Sequence, residues 1–201
     1  MTTRVKICGI TRVEDALAAI EFGTDFIGIN FYAKTPRYIG DKARAVRDAI
    51  GGRARVVGVF VDAPRDYVEQ RRREFALDLL QFSGNEPDDA VQGWDVPVIR
   101  ALRIKPEQAI DLASGIADYI LLDAFDSKLF GGTGHRVALE RLRGLDLSRV
   151  FVAGGLNPDN VAEAAALHPH AVDCASGVES APGIKDHDKM RSFIANAKST
   201  R

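Results

Sequence analysis

The chain is 201 residues long, 46% hydrophobic and 27% charged, which is ordinary globular usage and excludes intrinsic disorder. Lys+Arg 27 against Asp+Glu 28 leaves a net charge of -1, so there is no basic field to draw nucleic acid, and no nucleic-acid partner is expected. Apolar stretches such as Val56–Val61 and Ile120–Leu122 are strand-sized and far too short to span a bilayer, so no membrane partner is expected either.

Short β-rich runs alternate with longer stretches of helical period. Val5–Cys8 reads as a strand and Val13–Phe22 as a helix, with Thr11 placed to cap it and Glu14 completing a capping box. Asp25–Phe31 (strand) and Lys42–Ile50 (helix) follow, then Arg55–Val61 (strand) and Arg65–Phe75 (helix). Leu77–Gln81 is a fourth strand, followed by a short helix near Asp88–Gln92. Val96–Leu102 with Pro106–Ser114, and Tyr119–Asp123 with Val137–Arg143, make the fifth and sixth pairs. Arg149–Ala153 leads to a helix from Pro158 to Leu167, where Asn157 is expected as N-cap and Pro158 at the first helical position. Ala171–Ala175 and His187–Ala197 complete the series.

Alternation of this kind predicts a parallel sheet with helices outside it. Eight strand–helix units favour closure into a compact (β/α)8 barrel over an open doubly wound sheet, whose Gly-x-Gly-x-x-Gly turn is missing from Cys8-Gly9-Ile10-Thr11. With no linker, repeat or low-complexity segment, residues 1–201 are expected to be one barrel domain. The opening Met1-Thr2-Thr3-Arg4 has no signal pattern and two cysteines make no disulfide framework, so a cytoplasmic location is expected.

Chemistry in such barrels sits at the C-terminal ends of the strands. The polar residues there are Cys8, Asn30, Arg37, Gln81, Arg100, Asp123, Gly154-Gly155, and Asp173 with Ser176-Gly177. Period-two alternation in Val5-Lys6-Ile7-Cys8 puts Lys6 and Cys8 on the face turned from the helices. A buried Lys6 needs an inward carboxylate, and Asp173 on the adjoining last strand is the first choice. The same alternation sends Cys174 outward, so it is not expected to pair with Cys8. Asp123, after an apolar run, suits a general acid, and Arg37, in the loop after strand two, suits a bidentate clamp on a carboxylate. Glycines in the loops after strands seven and eight suit backbone N–H groups cradling a phosphate. Gly131-Gly132-Thr133-Gly134 reads as a lid or a plain turn. The four histidines show no helical i, i+4 pair, and no metal is expected.

Together these tracts resemble the phosphoribosylanthranilate isomerases of the tryptophan pathway. The matching stretches are Val5 through Thr11, Phe31-Tyr32 with Lys34 through Ile39, Val57 through Val61, Leu121 through Asp123, Gly131 through Gly134, Ala153 through Val161, Val172-Asp173, Ser176 through Glu179, Pro182-Gly183 and Lys185-Asp186. The resemblance implies a cofactor-free Amadori rearrangement of N-(5-phosphoribosyl)anthranilate to 1-(2-carboxyphenylamino)-1-deoxyribulose 5-phosphate, a small phosphosugar being the partner. It implies Cys8 as general base, Asp123 as general acid and Arg37 as the carboxylate clamp. It further implies phosphate held at Gly154-Gly155 and Ser176-Gly177, Asp173 near the sugar, and Gln81 beside the substrate. A base at Cys8 calls for a thiol pKa lowered by nearby positive charge, Lys6 being one source. Gln81-Phe82-Ser83-Gly84 stands where relatives commonly have Gln-Leu-His-Gly, and His135 through Leu139 where they have Lys-x-Phe-Asp-Trp. A monomer or a weak homodimer is expected.

Overall fold

The computed structural model describes residues 3–103, 110, 112, 115–123 and 139–199. Its strands are β1 (Arg4–Cys8), β2 (Phe26–Asn30), β3 (Arg55–Phe60), β4 (Leu79–Phe82), β5 (Val98–Arg103), β6 (Tyr119–Asp123), β7 (Val150–Ala153) and β8 (Ala171–Cys174). They pair in parallel, each with the next, and β8 returns to β1, closing the barrel. The described helices are α1 (Val13–Glu21), α2 (Ala43–Ile50), α3 (Arg65–Glu74), α4 (Asp88–Val91), α5 (Val161–Ala165) and α6 (His187–Ser199). The expected helix at 106–114 falls almost wholly outside the described residues. Of the one expected at 137–143, residues 139 and 140 are helical and 141–144 form a turn.

Strand alternation divides the core in two. Phe26, Val57, Leu79, Ile99, Leu121, Phe151, Ala153 and Ala171 fill the barrel. The intervening residues, among them Val5, Ile7, Ile27, Val56, Leu80, Ile120, Val152 and Cys174, meet the helices in the larger outer core. Because one polar residue in place of an inward apolar one reaches the interior, Lys6 and Asp173 end up inside although their immediate neighbours along the strands are apolar or cysteine.

At the N-terminal ends of the strands three aspartates stitch neighbours together. Asp25, Asp78 and Asp118 each precede an even-numbered strand. Their Oδ2 atoms accept the N–H groups of Val5, Val56 and Val98 on the preceding odd-numbered strand, at 2.8, 2.7 and 2.8 Å. Without them these backbone donors at the strand starts would face the core unpaired.

Two expected helix starts differ. Thr11 does not cap α1: Arg12 holds the cap position, and the Thr11 hydroxyl donates instead to the Gly183 carbonyl at 2.5 Å. α5 begins at Val161, not Pro158, because the asparagines are consumed in a preceding turn. Asn157 Oδ1 accepts the Asp159 N–H at 2.9 Å, and Asn160 Oδ1 accepts the Asn157 N–H at 2.8 Å. Local side-chain acceptors of this kind compete with the helix for the backbone. After β8 the chain adds a short 3₁₀ turn (Ser176–Val178) and an antiparallel hairpin, β9 (Glu179–Ala181) with β10 (Ile184–Lys185), which the sequence pattern did not suggest. No described helix is long and apolar enough to cross a membrane.

Candidate active site

A cavity of about 770 Å³ opens over the C-terminal ends of β4 to β8, and Gln81, Arg100, Leu121, Gly154, Asp173 and Ser176 are among its lining residues. Gly155 lines it as well, whereas Cys8, Arg37 and Gly177 lie outside its lining. Asp123 ends β6, in register with Ala153 of β7, with β7 and β8 between it and β1. Its side chain, and the glycine-rich segment Gly131, Gly132, Thr133 and Gly134, lie outside the described residues.

Cys8 is joined to the cavity through Lys6. The register sets Lys6 opposite Asp173, and its Nζ donates to Asp173 Oδ1 at 2.9 Å. Lys6 is completely buried, and Asp173 is 8% exposed with one edge on the cavity. Burial opposes the charge on Lys6, yet the charge and hydrogen bond of Asp173, together with the adjacent Cys8 sulfur, hold its pKa above the usual lysine value. The expectation that positive charge would bring the Cys8 thiol below its ordinary pKa does not hold. Burial is the larger influence and pushes it up, while Lys6 and Lys185 pull the other way. The Cys8 sulfur lies over its register partner Gly28, where a Cβ would come within 2.8 Å of it. Both cysteines are free and buried, and Cys174 faces the outer core with its thiol donating to the Leu156 carbonyl at 3.0 Å. Burial raises the Cys174 pKa to about 12.

Gln81 lies at the inward end of β4, 5% exposed. Its Nε2 donates to Ser83 Oγ at 3.0 Å, and Oε1 is buried without a hydrogen-bond partner among the described residues. Arg100 is drawn aside, donating to Asp88 Oδ1 at 2.6 Å and to the Glu86 carbonyl at 3.0 Å.

The loops after β7 and β8 meet at the cavity's edge. Gly154 and Gly155 both have positive φ (88° and 63°), backbone that other residues adopt only with strain. Gly177 packs so tightly against the Leu156 carbonyl that a Cβ would collide with the oxygen.

Arg37 stands over Gly9 with its guanidinium in a bidentate pair. Nε donates to Glu179 Oε1 at 2.8 Å and Nη2 to Glu179 Oε2 at 2.7 Å. Lys185 Nζ donates to Glu179 Oε1 at 3.0 Å, to the Cys8 carbonyl at 2.6 Å and to the Ala175 carbonyl at 2.9 Å, so a fully buried ammonium spans the ends of β1 and β8. Burial works against the Glu179 charge, but Arg37 and Lys185 outweigh it and hold the carboxyl below the usual range. Neither Glu179 nor Lys185 was singled out by chemistry in the sequence. The available signal was their place in the matching tracts, and for Lys185 a Pro182-Gly183 turn just before it.

Among the described residues, no three His, Cys, Asp or Glu side chains gather as a metal would need. Fold and mouth therefore define a class: a (β/α)8 barrel whose C-terminal face carries a polar cavity bounded by glycine loops, with a buried lysine–carboxylate pair beneath it. The family model for N-(5'phosphoribosyl)anthranilate (PRA) isomerase matches residues 5–196. A relative named N-(5'-phosphoribosyl)anthranilate isomerase, from Myxococcus xanthus (strain DK1622), is 45% identical over 208 residues, covering 99% of this chain and 98% of its own. A solved Thermotoga maritima chain, described as mutually generated monomers of a dimeric phosphoribosylanthranilate isomerase, superposes with a TM-score of 0.80 at 36% identity, covering 98% of this chain and 99% of that one. A phosphoribosyl anthranilate isomerase in complex with reduced 1-(o-carboxyphenylamino)-1-deoxyribulose 5-phosphate gives 0.76 at 34% identity, with 98% of each chain covered. This chain belongs to the N-(5'-phosphoribosyl)anthranilate isomerase family.

Proposed function

We propose that the protein, as a single catalytic domain over residues 1–201, isomerises N-(5-phosphoribosyl)anthranilate to 1-(2-carboxyphenylamino)-1-deoxyribulose 5-phosphate in tryptophan biosynthesis. The observation that carries this reading is the full-length family match falling on a barrel whose C-terminal cavity is lined by Gln81, Gly154, Gly155, Asp173 and Ser176.

In this reading the phosphate is held by backbone N–H groups of the loops at Gly154-Gly155 and Ser176-Gly177, and the anthranilate carboxylate by the Nη1 edge of Arg37 that Glu179 leaves over. Asp123 gives a proton to the furanose ring oxygen, and the ring opens to a protonated Schiff base. Cys8 then takes the proton from the sugar C2, and the iminium receives the electron pair, so the step needs neither metal nor nicotinamide. Lys6 and Lys185 favour the thiolate that this step uses, and their pull offsets part of the burial that keeps the resting thiol protonated. Asp173, anchored by Lys6, faces the sugar, and the unpartnered Gln81 Oε1 accepts from a sugar hydroxyl.

A soluble cytoplasmic protein acting as a monomer or a weak homodimer fits this reading. Complementation of a tryptophan auxotroph lacking the isomerase, with conversion of the substrate by pure protein, tests it. Folded protein that neither complements nor turns over would leave a barrel that only binds a phosphorylated ligand.

A further inference from the structure

We propose that Glu179, held by Lys185, is the positioning residue for carboxylate recognition: it fixes the plane of the Arg37 guanidinium, so that the hairpin after β8 sets the preference for a carboxylated substrate. The proposal rests on Arg37 being the clamp. It stands on geometry that the clamp alone does not require.

An arginine in an open loop has many rotamers, and ordering it on ligand binding costs affinity. Here two donors on one of its edges are already fixed by a carboxylate 142 residues away, at 2.8 and 2.7 Å, in the fork-to-fork geometry that sets orientation as well as energy. Glu179 is itself buried, its side chain 5% exposed and bonded by Lys185, whose three donors are all engaged. Charge balance makes the arrangement productive. Arg37 paired only with Glu179 would be neutral and would not attract an anion. With Lys185 the cluster has two cations and one anion, so a net positive charge remains for an incoming carboxylate at the free edge of the fork. The third bond of Lys185, to the carbonyl of Cys8, ties the same cluster to the end of β1.

The test pairs two ligands that differ only in the carboxylate: the product analogue 1-(2-carboxyphenylamino)-1-deoxyribitol 5-phosphate and its 1-(phenylamino) counterpart. Glu179→Gln leaves the cluster more positive but frees the guanidinium plane; as the plane is what the proposal assigns to Glu179, KM for the carboxylated substrate and the inhibition constant of the carboxylated analogue are expected to rise about tenfold, the size of one charge-assisted hydrogen bond, despite the added charge. kcat should stay within about threefold, and the inhibition constant of the analogue without the carboxylate should not move. Glu179→Asp keeps the charge balance, guarding against misfolding, but its shorter reach loses one of the two bonds, so an intermediate rise confined to the carboxylated ligand is expected. Equal weakening of both ligands, or no change in either, overturns the proposal. If the unaltered enzyme binds both analogues equally, the clamp reading itself is wrong. If Arg37→Ala abolishes the preference while Glu179→Gln keeps it, the clamp stands and only the positioning role falls.

Discussion

At the scale of single residues, the alternation of β1 carried the most information. It placed Lys6 inward, and the cost of an unpaired buried ammonium then demanded a carboxylate, which the register supplies as Asp173 at 2.9 Å. The balance of forces on Cys8 was not legible in the same way, because depth of burial depends on the loops above the strand and not on the strand. Cys8→Ser and Asp123→Asn are each expected to lower kcat by at least about 10²-fold with the circular-dichroism spectrum unchanged, the low end for loss of a general base or acid. Near-normal kcat in either variant would remove that residue from its role. Arg37→Ala should act mainly on KM, since a clamp holds ground and transition states alike, and steady-state kinetics with a change confined to kcat would count against it.

At the scale of elements, strands were easier to place than the segments between them. An apolar run bounded by turn residues is a local signal, and β1, β3 and β6 fall within a residue or so of where the pattern put them. The turn before α5 and the fate of Thr11 depend on partners outside the window: the acceptor for the Thr11 hydroxyl is 172 residues away. The three stitching aspartates did leave a trace, since each stands immediately before a strand in Thr24-Asp25-Phe26, Leu77-Asp78-Leu79 and Ala117-Asp118-Tyr119. The hairpin after β8 left only its turn, and the contacts that make Glu179 and Lys185 matter are made to β1 and to the loop after β2. Where the loops after β7 and β8 touch, Gly177→Ala is expected to force them apart. Overpacking of this kind costs about 1–3 kcal/mol, which denaturant unfolding would read, and KM should rise with it because the proposed phosphate site is built from both loops. A variant as stable and as tight-binding as the parent would show that the contact yields freely.

At the scale of the whole molecule, buried titrating groups set a pH window for stability. The Asp15 and Glu179 carboxyls both sit below their usual values in the folded chain. Burial opposes the charge in each, Arg12 and His187 outweighing it for Asp15 and Arg37 with Lys185 for Glu179. A depressed carboxyl stabilises the fold above its unfolded pKa, about 4, and the benefit is lost as pH falls through the lower folded value. Cys174 works at the other limit. A solvated thiol ionises at 9.0 but the buried one only at about 12, so the unfolded chain sheds this proton first and stability drains away as pH rises between those values. Thermal unfolding should therefore show a plateau near neutrality that falls off at both ends. Cys174→Ala, though less stable overall, should show a shallower decline above about pH 9. An unchanged alkaline slope would mean that Cys174 does not contribute to it.

The ion pair that closes the barrel also fixes an order of events in the cell. Lys6 leaves the ribosome 167 residues before Asp173, an interval of about 10 to 30 s at ordinary rates of translation. Throughout it, β1 has an unmet hydrogen-bonding edge and an ammonium group destined for the interior with no counter-ion to receive it there. The β1–β8 seam therefore cannot close until β8 has been made. A stalled or truncated product ending before β8 would present that edge to its neighbours and become a client for chaperones.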